Sequence, residues 1–532
     1  MKKNHIYALA LAVLGISCNA YSGMRTGNTI VATDHGLVQG VQNGEVTSYK
    51  GIPYAQPPVG ELRWRAPQPA NPWDSVLQAK EYGNDCLQAP FPGDSSQMDN
   101  GMSEDCLFLN VWKPAHPSRA LRPVMVWIHG GGFVNGGSSA PTYDGTSFAE
   151  KGVVMVSFNY RLGRFGFFAH PALTAAQEEP VLGNYGFMDQ IAALKWIKEN
   201  IAQFGGDPNQ VTVVGESAGG MSIHALLTSP LAKNLFDRAI IQSGSGRLNF
   251  SGRYLDKESP SGEAPAEVAG TLFAEKFNIN GEGSDALDAL RALPAEDIVS
   301  GLNMMNMGGD PTYSGPMIDG KLVTAHPQDI YSSGPALSIP VLVGATTAEI
   351  PVMSPFSSFP ETVDEALAIF GPFRSEIARY AYGVEETTPV MGLGLNIIRD
   401  TGMVEPARFV MKEAEKQGQP VYGYRFGYVA DSLKPTSDGA AHASDIAYAF
   451  NTLQAQYHSD VTESDQAMAD MVHQYWVNFV RYGNPNGSNL PYWSQYRSWN
   501  ENLMMFSNNG VNDSGTVRDP WELRLDLVES IQ

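Results

Sequence analysis

Basic residues are outnumbered in this chain: 35 lysines and arginines stand against 56 aspartates and glutamates, a net charge of −21. A field of that sign argues against nucleic acid and anionic membranes as partners. Charged residues of both signs make up only 17% against 43% hydrophobic ones, a globular composition that excludes extended disorder. Beyond residue 20 no apolar run approaches the roughly 18 residues a membrane-spanning helix needs. Internal repeats are lacking, as is any low-complexity tract long enough to be a linker, so a solenoid or a string of tethered modules is excluded.

Cysteine is scarce as well, with Cys18, Cys86 and Cys106 alone in 532 residues. The first falls in a segment that reads as a secretory leader, residues 1–20. It has a basic start at Lys2-Lys3, an apolar run from Ile6 to Ile16, and small residues at Ser17, Cys18 and Ala20. A rival reading makes Cys18 a lipid-bearing first residue, but Gly15 sits where such a signal usually carries leucine. Export leaves an even pair in an oxidising compartment. A Cys86–Cys106 disulfide is expected, and closing its loop would stabilise the fold by roughly 3 kcal/mol.

What is present is an alternation of strands and helices. Thr29–Thr33 and Gly36–Gly40 read as an antiparallel edge, whereas the prolines and glycines of 51–67 predict a packed loop without regular structure. Val124-Met125-Val126-Trp127-Ile128 is apolar throughout, as suits a strand covered on both faces, and runs into His129-Gly130-Gly131-Gly132-Phe133. Three glycines after a buried strand expose backbone N–H groups, the arrangement that stabilises a developing oxyanion. A further strand at 153–160 and a helix carrying Ile191, Leu194, Trp196 and Ile197 lead to Val211-Thr212-Val213-Val214. That succession predicts an α/β fold with a parallel, doubly wound sheet. Residues 24–530 read as one large domain, with helical insertions near 258–305 and 363–417 and a last long helix at 464–482.

The organising stretch is Gly215-Glu216-Ser217-Ala218-Gly219. A Gly-x-Ser-x-Gly turn between strand and helix lifts one serine hydroxyl into view, and the cramped bend requires residues without Cβ two before and two after it. Serine needs a base to take its proton and a carboxylate to orient that base. Among His442, His458 and His473, the first is favoured. It lies in the small-residue loop Gly439-Ala440-Ala441-His442-Ala443-Ser444-Asp445 after a strand, whereas His458 and His473 are expected at the surface. Glu349, just past the strand Val341-Leu342-Val343, is the candidate acid.

Together these residues resemble the type-B carboxylesterase family, the group of bacterial para-nitrobenzyl-type esterases and cholinesterases. The motifs that carry the resemblance are Gly51-Ile52-Pro53-Tyr54-Ala55, Glu104-Asp105-Cys106-Leu107-Phe108-Leu109-Asn110, the glycine loop, Phe204-Gly205-Gly206-Asp207-Pro208 and Gly215–Gly219. The resemblance implies an α/β-hydrolase fold with a mostly parallel central sheet flanked by helices. It also implies a serine esterase acting on small-molecule esters without metal or organic cofactor. Its pattern makes Ser217 the nucleophile, Glu349 the acid, His442 the base, and the N–H groups of Gly131, Gly132 and Ala218 the oxyanion donors. Glu216 and Ser243 match residues beside the triad, and Arg63 with Glu104 and Arg161 with Asp189 match structural ion pairs. Asp445 stands where the family commonly has glutamate, and the Cys86–Cys106 loop lacks the tryptophan with which cholinesterases hold a quaternary ammonium. The same machinery serves amide, carbamate or thioester cleavage. A non-catalytic binding protein is the alternative from another class, although adhesion relatives lose the serine or its partners, which this chain retains.

Overall fold

The structure, a computed structural model, describes residues 29–91, 100–176, 179–247, 252–334, 336, 338–351 and 354–532. The leader reading at 1–20, Cys18 included, falls outside them.

Among the described residues the largest sheet has eleven strands. In chain order they are β1 (Val41–Asn43), β2 (Val46–Pro53), β3 (Phe108–Pro114), β4 (Arg122–Ile128), β5 (Val154–Phe158), β6 (Gly206–Glu216), β7 (Arg238–Gln242), β8 (Val341–Thr346), β9 (Val421–Phe426), β10 (Asn502–Phe506) and β11 (Gly515–Arg518). Across the sheet the order is β1-β2-β3-β5-β4-β6-β7-β8-β9-β10-β11. From β5 to β10 neighbouring strands are parallel, and the pairs at either end are antiparallel.

Strand alternation divides the core. Val124, Val126 and Ile128 of β4 point to one face, where they join Ile191, Leu194 and Ile197 of α1 (Tyr185–Asn200) and Ile223 and Leu226 of α2 (Ala218–Thr228). Met125 and Trp127 point to the other face, against α4 (Asp445–Phe450) and α5 (Glu463–Tyr482). A further helix, α3 (Glu405–Lys416), lies on the first face. The central strands are thus covered on both sides, and for that reason their sequences are apolar throughout.

Two expectations for the N-terminal region need correction. Ile30–Ala32 and Leu37–Gln39 do pair antiparallel, but with Leu77–Gln78 they form a separate small sheet. Gly51-Ile52-Pro53, expected in an irregular loop, is the end of β2. A register shift against β3 between Tyr49 and Ile52, with Gly51 at φ 72°, absorbs the glycine, and the proline sits at the strand end where no ladder donor is required.

Residues 258–305 and 363–417 each carry several helices. Helices at Ala266–Glu275, Ser284–Arg291 and Ala295–Val299 occupy the first, and helices at Val363–Ala368, Ser375–Ala381 and Val390–Arg399 followed by α3 occupy the second. The last long helix, α5, starts on a capping box between Thr462 and Asp465 and stops at Gly483 in the left-handed conformation. In consequence of the parallel topology, β4, β6, β7, β8 and β9 all end on one edge of the sheet, where open α/β sheets gather their ligand-binding loops.

Candidate active site

Ser217 is the single residue between β6 and α2. Its backbone, at φ 55° and ψ −123°, lies in a region L-residues avoid, at a cost of about 1–3 kcal/mol. The neighbours explain how so sharp a bend fits. A Cβ on Gly215 would lie 2.6 Å from the backbone of Gly219, and one on Gly219 would lie 2.0 Å from Ile128 O at the end of β4. The bend is tied down by Ser217 N–H donating to Gln242 O (3.0 Å) and Met221 N–H donating to Ser217 O (2.9 Å).

The glycine loop after β4 lies against this serine. A Cβ on Gly130 would come within 3.1 Å of Ser217 Cβ and 2.9 Å of Glu216 Oε2. Gly131 (φ 100°) and Gly132 (φ 61°) turn the chain, and the N–H groups of Val134 and Asn135 close the turn onto Gly131 O. The N–H groups of Gly131, Gly132 and Ala218 donate to no acceptor among the described residues. For Ala218 the reason is general, since the first N–H groups of a helix have no partner within it.

Behind the loop, burial pushes the His129 imidazole down to about 4, so this ring stays neutral. It stacks on Tyr160 and bonds Gly130 O through Nδ1 at 2.9 Å. The segment after Cys86 buttresses the same loop. Cys86 and Cys106 are disulfide-bonded, and the Gln88 amide donates to Gly136 O (2.7 Å) while accepting from Gly136 N–H (2.8 Å).

Glu349 follows β8 and His442 follows β9, and backbone bonds sew the two loops together. Ala348 N–H donates to Ala440 O (2.8 Å) and His442 N–H to Ala348 O (3.2 Å). The side chains meet as a result: Glu349 Oε2 is hydrogen-bonded to His442 Nδ1. Glu349 Oε1 accepts from Ser243 Oγ (2.5 Å) and Thr346 N–H (2.8 Å). Burial alone would raise the Glu349 carboxyl, but the imidazole and these donors outweigh it and hold it below the usual glutamate range.

The other imidazole nitrogen, His442 Nε2, lies 3.1 Å from Glu216 Oε1, and neither atom has a hydrogen-bond partner. Burial opposes charge on the ring, yet Glu216 and Glu349 together raise His442 to about 9. Glu216 is itself pushed up to about 8 by burial, against the pull of the imidazole. Each group of the pair thus favours its protonated form. No hydrogen bond links Ser217 Oγ to Nε2 in this resting arrangement, as is common before substrate draws such a site together.

Ser217, Glu349, His442, Gly131, Gly132, Ala218, Glu216 and Ser243 thus meet at one sheet edge, while His458 and His473 lie elsewhere. His458 is exposed as expected, but His473 is buried in α5, with Nδ1 on Ala449 O (2.8 Å). The matched ion pairs are both bidentate: Arg63 with Glu104 (2.6 and 2.9 Å) and Arg161 with Asp189 (2.7 and 2.8 Å).

Sequence reasoning missed a polar cluster behind the histidine. Asp445 Oδ2 accepts from Tyr424 Oη (2.8 Å) and Gln242 Nε2 (2.9 Å), and Trp476 Nε1 donates to Gln242 Oε1 (3.1 Å). The only local signal was Asp445, three residues past His442. Among the described residues, no group of His, Cys, Asp and Glu side chains is arranged to hold a metal ion, and no helix is long and apolar enough to cross a membrane.

The model of the carboxylesterase family matches residues 27–367 and 389–519. A para-nitrobenzyl esterase of Bacillus subtilis (strain 168) is 36% identical over 496 residues, which cover 90% of this chain and 95% of that protein. A fumonisin B1 esterase of Sphingopyxis macrogoltabida is 32% identical over 502 residues, 92% of this chain and 88% of the relative. A solved PNB esterase structure superposes with a TM-score of 0.79 at 32% identity, covering 95% of this chain and 99% of the other.

Proposed function

The chain belongs to the carboxylesterase family, and from that premise we propose that its ester hydrolysis runs through Ser217, His442 and Glu349. Its fold is the α/β-hydrolase fold and it is a carboxylic ester hydrolase. The observation that carries the assignment of roles is the His442 ring, with Nδ1 on Glu349 and a buried Nε2 without a hydrogen-bond partner, 3.1 Å from the residue that precedes Ser217.

In the acylation step Ser217 Oγ bonds the ester carbonyl carbon as its proton passes to His442 Nε2. The carbonyl electron pair moves onto oxygen, facing the N–H groups of Gly131, Gly132 and Ala218, each worth about 3 kcal/mol to the transition state. The tetrahedral species then collapses, and the alcohol leaves with the proton from Nε2. Water, deprotonated in turn by His442, releases the acid. Glu349, ionised and held by Ser243 and Thr346, fixes the Nδ1–H tautomer and stabilises the imidazolium.

Residues 1–20 are read as an export signal, and the Cys86–Cys106 disulfide supports delivery to an oxidising compartment, secreted or periplasmic. The names of the relatives give para-nitrobenzyl esters and fumonisin B1 as substrates to test. A fluorophosphonate probe tests the assignment of the nucleophile. Peptide mapping should find the adduct on Ser217 and none on Ser217→Ala, and an adduct on any other serine would remove Ser217 from its role.

A further inference from the structure

Twenty methionines occur in the chain, and two of them lie directly on the glycine loop. A Cβ built on Gly132 would come within 2.8 Å of Met307 Cε, 2.9 Å of Met307 Sδ and 3.5 Å of Met304 Cγ. Gly132 is buried, whereas Met304 and Met307 are half-exposed. Their turn is pegged in place: Met304 N–H donates to Asn135 Oδ1 (3.0 Å), and the buried Asn135 side chain donates to Gln88 Oε1 (3.1 Å) and Ala89 O (2.9 Å). Met307 N–H bonds Asn303 O (2.9 Å), and the Asn303 side chain bonds Pro90 O (3.2 Å).

We propose that Met307 is an oxidative modification site, at which conversion to the sulfoxide by a peroxide closes the oxyanion site. The inference rests on the reading of Gly131 and Gly132 as oxyanion donors. In the step, the thioether sulfur gives two electrons to hydrogen peroxide. The O–O bond breaks, one oxygen bonds sulfur, and the other leaves as water. The product is bulkier than the thioether and carries a strong hydrogen-bond acceptor. Placed against Gly132, where a Cβ would already lie 2.9 Å from the sulfur, that oxygen adds bulk and polarity directly against the loop whose N–H groups face the substrate's oxyanion. Met305 and Met391 are more exposed, at 73% and 67%, but the atoms nearest a Cβ built on Gly132 belong to Met307, with Met304 Cγ farther off at 3.5 Å.

The test treats the full protein with graded hydrogen peroxide and follows kcat/KM on a short nitrophenyl ester beside oxygen incorporation at each methionine, resolved by fragment-ion mapping. The expected loss is about 100-fold, in the range of deleting one oxyanion donor, in step with oxidation at Met307. Met307→Leu should resist the same treatment, and methionine sulfoxide reductase should restore the wild type as the oxygen leaves Met307. Met307 fully oxidised with kcat/KM unchanged would overturn the proposal, as would equal loss in Met307→Leu. The reductase arm reads the same effect without any variant. A protein inert before treatment would instead contradict the ester-hydrolase roles assigned above, and this inference with them.

Discussion

His442 Nε2 lies 3.1 Å from Glu216 Oε1, the carboxylate of the residue just before Ser217. The imidazole thus has a carboxylate at each nitrogen, Glu349 at Nδ1 and Glu216 at Nε2, and both favour its charged form. A general base must be neutral, so kcat/KM falls as pH drops through the His442 pKa of the free enzyme. Glu216→Gln removes the strongest of the influences that raise His442, and the acid limb of the kcat/KM profile should move to lower pH. An unmoved limb would place the proton elsewhere.

The same pair makes stability depend on pH. His442 and Glu216 both hold protons more tightly in the folded protein than in the unfolded chain, at about 9 and about 8. Their contribution is lost as pH rises through those values. Denaturant midpoints should therefore fall as pH rises from the ordinary values, 4.5 for Glu216 and 6.5 for His442, to about 9, and fall less in Glu216→Gln.

Ser243 donates to Glu349 at 2.5 Å, and in the proposed mechanism it acts through that carboxylate. Removing the acid's function in Glu349→Gln should lower kcat by about 10³–10⁴-fold. Ser243→Ala should cost about tenfold in kcat with KM little changed, since one hydrogen bond to a charged group is worth roughly 1.5–3 kcal/mol and a neighbouring donor remains at Thr346.

Asp445 lies in the buried cluster with Tyr424 and Gln242. Asp445→Ala strands both donors, and unfolding free energy should fall by about 2–4 kcal/mol. Asp445→Asn, which keeps one acceptor, should lose less.

The site was legible where its signals are local. The valines of β6, the glycines flanking Ser217 and the glycines after β4 each follow from what one short segment can do, and they fall where expected. His442 and Glu349 could be reached because catalytic loops follow parallel strands, although a resemblance was needed to make the choice firm. What could not be read depends on contacts across the chain. Gln242 meets Trp476 from 234 residues away, and Met307 reaches Gly132 through a turn pegged by Asn135. His473 illustrates the same limit: helical spacing does not say which face the rest of the fold covers, and here Ala449 O from α4 receives its ring nitrogen.

The disulfide connects stability with catalysis. Cys86 lies two residues from Gln88, whose amide holds Gly136 in the glycine loop. The pair Cys86→Ser, Cys106→Ser should lose about 3 kcal/mol of stability. It should also show a lowered kcat at temperatures where it remains folded.

Hydrolysis of nitrophenyl acyl esters from acetate to a long chain, by the wild type and Ser217→Ala side by side, tests the central claim most directly. The account predicts turnover by the wild type and at least about a 10⁴-fold loss of kcat in a folded Ser217→Ala. Equal turnover by the two proteins, or none by either while both remain folded, would contradict it.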